Sequence, residues 1–362
     1  MRVRQALLFL AIAAAQFALF EAALRIWGHS EAAPSFQALF VPDPAIGYRL
    51  RPGARTRFVT AEFDTQIAIN DQGVRDDEHI GPKPANERRI VILGDSLVLS
   101  VQVQNQQTFC RLLQERLNQA GGPVRYRVIN AGVQGYGPVE ELLFFRAIAK
   151  TFQPDLVIAT IFVGNDAEEA VASAPKLRRN ARGATEVLSD SLTNRLRRLV
   201  RRSLVLQVIR LRVVSVTDRL SQWISPPEPP LQSYAEKPAS RIGDGLRISR
   251  ECIEAIVNEA AAAGARTMIM LMPARFQVDD ADYGHLKEAV EGAGGRLVRD
   301  AATTRFDEAL ATIAVPRFDA LPALRAALPG PEVFFQQTVH LTPRGHEIVA
   351  RALEDFIRRN GL

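Results

Sequence analysis

Arg89-Ile90-Val91-Ile92-Leu93-Gly94-Asp95-Ser96-Leu97 is the stretch on which the fold turns. A short unbroken apolar run closed by glycine reads as a strand buried on both faces. Gly-Asp-Ser directly after it sets a serine hydroxyl at the carboxyl edge of a sheet, where open α/β folds bind their ligands. A serine there is a nucleophile if a base reaches it and backbone amides face the developing oxyanion. The same tripeptide also serves as a plain strand-to-helix turn, with Asp95 or Ser96 as the cap.

Three later segments weigh against the plain turn. Val128-Ile129-Asn130-Ala131-Gly132 and the apolar run from Leu156 to Val163, closed by Gly164-Asn165-Asp166, are both strands ending in Gly/Asn turns. Near the C-terminus stands Val339-His340-Leu341-Thr342-Pro343. Serine, glycine amide, asparagine amide and histidine thus occur in that order. The set and order over residues 86–360 resemble the SGNH (GDSL-type) hydrolases, a superfamily of serine esterases, lipases, thioesterases and carbohydrate O-acyl hydrolases or transferases.

The resemblance implies a flavodoxin-like three-layer α/β sandwich with a parallel sheet. It implies Ser96 as nucleophile and His340 as base, with Thr342 capping the last helix behind it. The oxyanion hole would comprise the N–H of Ser96, the N–H of Gly132 and the side-chain amide of Asn165. Asp95 and Asp166 would close their turns. One position departs from the family, in which an aspartate three residues before the histidine orients the imidazole: here it is Gln337. A glutamine carbonyl can fix the tautomer but brings no charge, and loss of the acid costs up to about 10⁴-fold in triad enzymes. The alternatives are a Ser–His dyad helped by Gln337 or a backbone carbonyl, a triad completed from elsewhere such as Asp319, and a non-catalytic relative. His346, inside the final helix, reads as packing.

Hydrophobic residues make up 47% and charged residues 23%, the balance of a globular protein, and 362 residues suffice for a large core. Cys110 and Cys252 fall in helical patterns and read as small core residues. The five histidines lack ligand spacing, so neither a metal nor a cofactor is expected. Two arginines, Arg2 and Arg4, precede an apolar run from Ala6 to Phe20, and Arg25 comes after it. This pattern fits a signal anchor over residues 1–28 with its start in the cytoplasm. A cleaved signal with Ala13 and Ala15 at the site competes with it. Both readings export the remainder, into the periplasm if the anchor lies in a bacterial inner membrane.

Residues 29–88 are polar and rich in Pro and Gly, and 56–60 with 65–69 alternate as a β-hairpin. The stretch Ile69-Asn70-Asp71-Gln72-Gly73-Val74-Arg75-Asp76 resembles the lead-in of membrane-anchored SGNH proteins. Its expected role is a small β-lobe spacing the catalytic domain, 89–362, from the bilayer. From Ile90 strand and helix alternate, with helices over 108–118, 138–150, 246–262, 301–311 and 344–359 and strands over 125–129, 156–162, 267–272 and 315–318. The insertion 167–244 differs. Between 176 and 212 it carries eleven basic residues against Glu186 and Asp190, a net of +9 where the whole chain has +5. Leucines and isoleucines at three- and four-residue steps from Leu192 to Trp223 predict an amphipathic helix over 191–224. Its arginine face is open to solvent, to anionic lipid or to an acidic polysaccharide. Nothing marks a nucleic-acid partner. The expected function is cleavage or transfer of an acyl ester, of a lipid or an acylated carbohydrate, through an acyl-Ser96 intermediate. O-acyl transfer and a carbohydrate- or partner-binding domain without catalysis are the alternatives.

Overall fold

The computed structural model describes residues 15–19, 21–22, 36–119, 121–179, 185–187, 231–292, 294–330 and 332–362. Phe36–Leu188 and Pro229–Leu362 form one compact unit, which carries the sheet and every candidate site residue. Residues 1–35 and 189–228 belong to a second unit, of which 15–19 and 21–22 are described as helical. The expected anchor over 1–28 and the basic helix over 191–224 therefore lie almost wholly outside the described residues. Among the described residues no helix is long and apolar enough to cross a membrane.

The first unit opens with two hairpins. β1 (Phe40–Asp43) pairs antiparallel with β2 (Gly47–Leu50), and β3 (Arg55–Val59) with β4 (Asp64–Ala68). The alternating burial of β4, with Thr65 and Ile67 inward, is the period of a strand with one face on a core. That core is shared: Leu39, Ile46, Leu50, Ile67, Ile69 and Val74 belong to the same buried cluster as the central sheet. Residues 36–88 thus share one compact unit and one buried core with the central sheet.

β5 (Glu87–Gly94) comes next, then α1 (Ser96–Leu99) and α2 (Phe109–Gln119). After them come β6 (Arg125–Gly132), α3 (Pro138–Ala147), β7 (Leu156–Phe162) and α4 (Asp166–Ser173). A short hairpin of β8 (Leu177–Arg179) and β9 (Thr185–Val187) stands within the insertion. Beyond it are α5 (Ser240–Ala262), β10 (Arg266–Met272), α6 (Arg275–Val278), α7 (Asp280–Gly292), α8 (Ala301–Ala309), β11 (Arg317–Asp319), α9 (Leu321–Arg325) and α10 (Pro343–Arg359). α5 begins six residues before the expected start at 246 and so takes the end of the supposed insertion into the core.

The five-stranded sheet runs in the order β11-β10-β7-β5-β6, with every pair parallel. Every residue of β7 is buried, as a strand covered on both faces requires. α10 packs with α2 and α9, and α5 with α3 and α4, giving two helical layers. Numbered by their order in the sheet-forming chain, the strands run 2-1-3-4-5, and the crossover direction reverses between β5 and β7. Ligands of such sheets bind outside the carboxyl ends at that reversal.

Candidate active site

Ser96 is the first residue of α1, immediately past the end of β5, and it is 8% exposed. Asp95 caps that helix, its carboxylate accepting the Leu97 N–H at 2.8 Å. Asn165 ends the turn after β7 and precedes α4. Ser96 and Asn165 therefore flank the point where the sheet reverses. Asp166 closes the Asn165 turn by accepting the Phe162 N–H at 2.9 Å.

Gly132, at the end of β6, is spoken for. Its N–H donates to Asn130 Oδ1 at 3.1 Å. A Cβ there would lie 2.4 Å from the Leu99 nitrogen, so glycine is needed for α1 to rest on the strand end. As an oxyanion donor it does not fit, because its N–H is engaged and its surroundings are closed. Gly135, three residues on, is exposed and left-handed at φ 69°, and no protein acceptor meets its N–H among the described residues. Tyr48 anchors that turn, its hydroxyl donating to the Gln134 carbonyl at 2.7 Å.

His340 stands two residues before Thr342, whose hydroxyl accepts the Gly345 N–H at 3.3 Å as the cap of α10. The His340 loop is a narrow antiparallel turn: Phe335 N–H donates to His340 O at 2.9 Å, and Phe334 pairs with Leu341. Both ring nitrogens of His340 are buried and meet no hydrogen-bond partner among the described residues. Burial pushes its pKa down to about 4, so the imidazole is neutral near pH 7. Ser96 and His340 are not hydrogen-bonded to one another, a common state for catalytic groups without substrate.

Gln337 does not orient that imidazole. Its side chain is exposed and without a hydrogen bond among the described residues, and only its backbone N–H is engaged, by Glu62 Oε2 at 2.9 Å. Asp319 is committed to the Leu321 N–H at 2.9 Å at the end of the edge strand. No carboxylate hydrogen-bonds His340 among the described residues. His346 packs as expected: it is buried, stacked on Phe109 with centroids 5.8 Å apart, and its Nδ1 accepts the Phe109 N–H at 3.2 Å. Burial first, then Arg75, then His340 push its pKa down to about 3.

Two features leave little trace in the sequence. The first is a set of buried carboxyls beside the Ser96 and Asn165 turns. Burial pushes Asp95 up to about 6 and Glu169 up to about 8; it also raises Glu141 and Asp166 well above the carboxylate range, and Asp95 adds to the rise in the other three. Glu169 Oε1 accepts from Asn165 Nδ2 at 2.7 Å, which holds the asparagine amide in one orientation. Its sequence signal is a Glu four residues after Asn165, on the first turn of the helix. The second is Arg75, buried at 2% exposure, whose guanidinium donates to the carbonyls of Leu99, Ser100 and Val103 just behind Ser96. An arginine inside the lead-in stretch is visible in the sequence, but its partners are not.

The chain matches the family model for GDSL-like lipase/acylhydrolase over residues 90–353. No curated protein matches it significantly. Among solved structures it is similar to TesA, with 13% identity, 75% of this chain and 99% of that one covered, and a TM-score of 0.42. It is similar to a catalytic mutant of Axe2, an acetylxylan esterase from Geobacillus stearothermophilus, with 13% identity, 75% and 94% covered, and a TM-score of 0.41. It is similar also to the psychrotrophic esterase EstA from Pseudoalteromonas sp., with 12% identity, 75% and 97% covered, and a TM-score of 0.40. A family model that runs from the strand just before Ser96 into the last helix takes in Ser96, Asn165 and His340, and so the chain belongs to the GDSL-like lipase/acylhydrolase family, hydrolases that cleave ester bonds.

Proposed function

We propose that this hydrolase works through an acyl-Ser96 intermediate with His340 as its base. The observation that carries the reading is the His340 imidazole, buried with neither nitrogen bonded among the described residues. Such a group costs about 1–3 kcal/mol and calls for a function. Ser96 Oγ attacks the acyl carbonyl while His340 takes its proton. The tetrahedral oxyanion is met by the Ser96 N–H at the head of α1, by the Asn165 amide and by a glycine N–H of the loop after β6, for which Gly135 has the free donor. The proton passes from His340 to the departing alcohol. Water then attacks the acyl-serine, giving its proton to His340; as the second tetrahedral intermediate collapses, His340 returns that proton to the departing Ser96 Oγ, and the acid leaves. With no carboxylate on the imidazole among the described residues, the reading is a Ser–His dyad. The substrate is an acyl ester of lipid or acylated-carbohydrate kind. Residues 1–28 are read as an inner-membrane signal anchor that places the catalytic unit outside the cytoplasm, a reading supported by Arg2, Arg4 and the apolar run between Ala6 and Phe20.

Ser96→Ala and His340→Ala should each abolish turnover of acetyl, long-chain and acetylated-sugar esters, and the double variant should be scarcely worse, since groups acting as a unit are non-additive. A fluorophosphonate should add one label to the parent chain by intact mass and none to Ser96→Ala. Because His340 is held neutral down to about pH 4, the acidic limb of kcat/KM should lie well below the ordinary histidine value of 6.5. Labelling of Ser96→Ala at the parent rate would remove Ser96 from the mechanism.

A further inference from the structure

We propose that the β3–β4 hairpin and the turn behind it belong to the catalytic apparatus, with Glu62 positioning the loop that carries His340 and Arg75 positioning the helix that Ser96 begins. The inference rests on the reading of those two residues as base and nucleophile.

Glu62 lies at the hairpin tip. Thr60 Oγ1 fixes the tip by accepting the N–H groups of Glu62 and Phe63, each at 3.2 Å. The Glu62 carboxylate then accepts two consecutive amides of the His340 loop, Gln336 N–H at 2.7 Å and Gln337 N–H at 2.9 Å. A two-point grip on adjacent amides fixes orientation as well as distance. Beside it the Phe63 ring packs on Phe335, with centroids 5.4 Å apart. Phe335 is the residue whose N–H reaches His340 O across the loop. Arg275 grips the same loop through the carbonyls of Phe335, at 3.0 Å, and Gln336.

The other side of the hairpin reaches the segment behind Ser96. Thr65 Oγ1 donates to the Val101 carbonyl at 2.6 Å, and Gln104 Nε2 donates to the Asp64 carbonyl at 3.2 Å. Arg75 adds its bonds to Leu99, Ser100 and Val103. One hairpin thus ties the exit of α1 to the His340 loop. The proposed base and nucleophile come from opposite ends of the family domain and make no direct bond, so their spacing depends on whatever joins the two loops. A misplacement of about 1 Å can cost on the order of 10²-fold in rate.

The test uses the full chain and p-nitrophenyl acetate. Glu62→Ala should lower kcat by about tenfold or more with KM within about twofold, and the rate of fluorophosphonate labelling at Ser96 should fall with it. Glu62→Gln keeps one acceptor oxygen and the volume, so it should fall between parent and Glu62→Ala, with an unchanged thermal midpoint; it also carries the test should Glu62→Ala fail to fold. Arg75→Lys, which loses the fork but keeps the charge, should lower kcat in the same manner. Glu62 variants with parental kcat, or with a raised KM at parental kcat, would overturn the proposal while leaving the nucleophile and base in place. A parent chain that neither turns over the ester nor labels would overturn the underlying reading, and the proposal with it.

Discussion

At Gln337 the backbone and the side chain part company. The N–H is bonded to Glu62, and the side chain is exposed, without a hydrogen bond among the described residues. Gln337→Ala keeps the N–H and should therefore leave kcat within about twofold of the parent, whatever the pH. A tenfold fall at constant KM would place the side chain back on the imidazole. The same contrast marks what can be read from sequence at this scale. Ser96, Asn165 and His340 stand near glycines, aspartates and a helix-starting proline, whose local chemistry announces strand ends and caps. Gln337 has only its spacing to recommend it, and spacing does not say which way a loop side chain turns. Glu62 is invisible in the sequence because its partners lie 274 and 275 residues away. Gly132 has the look of a donor, and only the folded turn shows its N–H taken by Asn130 two residues earlier.

Among the elements, the central strands are legible because burial on both faces makes them continuous apolar runs, as in Leu156–Phe162. α10 is legible from its Thr-Pro start and strong apolar stripe. β1 and β2 are not, being four residues each with Pro42 in one and Gly47 in the other. α7 leaves no stripe in the sequence because, among its residues, Val290 alone is buried. The lead-in looks like a spacer since its polar, turn-rich composition hides how few apolar residues it needs to join a core already built. Three chain lengths test its standing. A chain from Phe36 should stay soluble and active. A chain from Glu87 should lose activity and stability, since it loses Leu39, Ile46, Leu50, Ile67, Ile69 and Val74 from the core and the buried Arg75 grip. The full chain should remain with membranes after a high-salt wash. Full activity from Glu87 would make the hairpins dispensable, and release of the full chain into the soluble fraction would remove the anchor.

For the molecule as a whole, the buried carboxyls and histidines set a proton balance. Asp95, Glu141, Asp166 and Glu169 hold protons in the folded state that the unfolded chain gives up near pH 4, with Asp95 at about 6 and Glu169 at about 8. Across that interval the folded state binds more protons, so stability falls as pH rises. His340 and His346 act oppositely: their folded values of about 4 and 3 lie below the unfolded 6.5, so they cost stability as pH falls from 6.5 towards 4. Above about pH 7.5 both histidines are almost wholly neutral in the folded and the unfolded states, and the carboxyls dominate. The thermal midpoint should therefore drop between pH 7.5 and 8.5, each excess proton steepening the loss by about 1.4 kcal/mol per pH unit. Melts at those two pH values decide it, and a midpoint that rises would mean the cluster is already ionised. The hairpin contact also bears on timing. Glu62 and Gln337 are separated by 275 residues, so this bond is among the longest loops the chain must close, and such closures come late in folding. A chain still emerging from the ribosome would hold Ser96 and Asn165 long before His340 has been made. Esterase activity followed during refolding would then report the arrival of the C-terminal loop on the hairpin, separately from the collapse of the sheet.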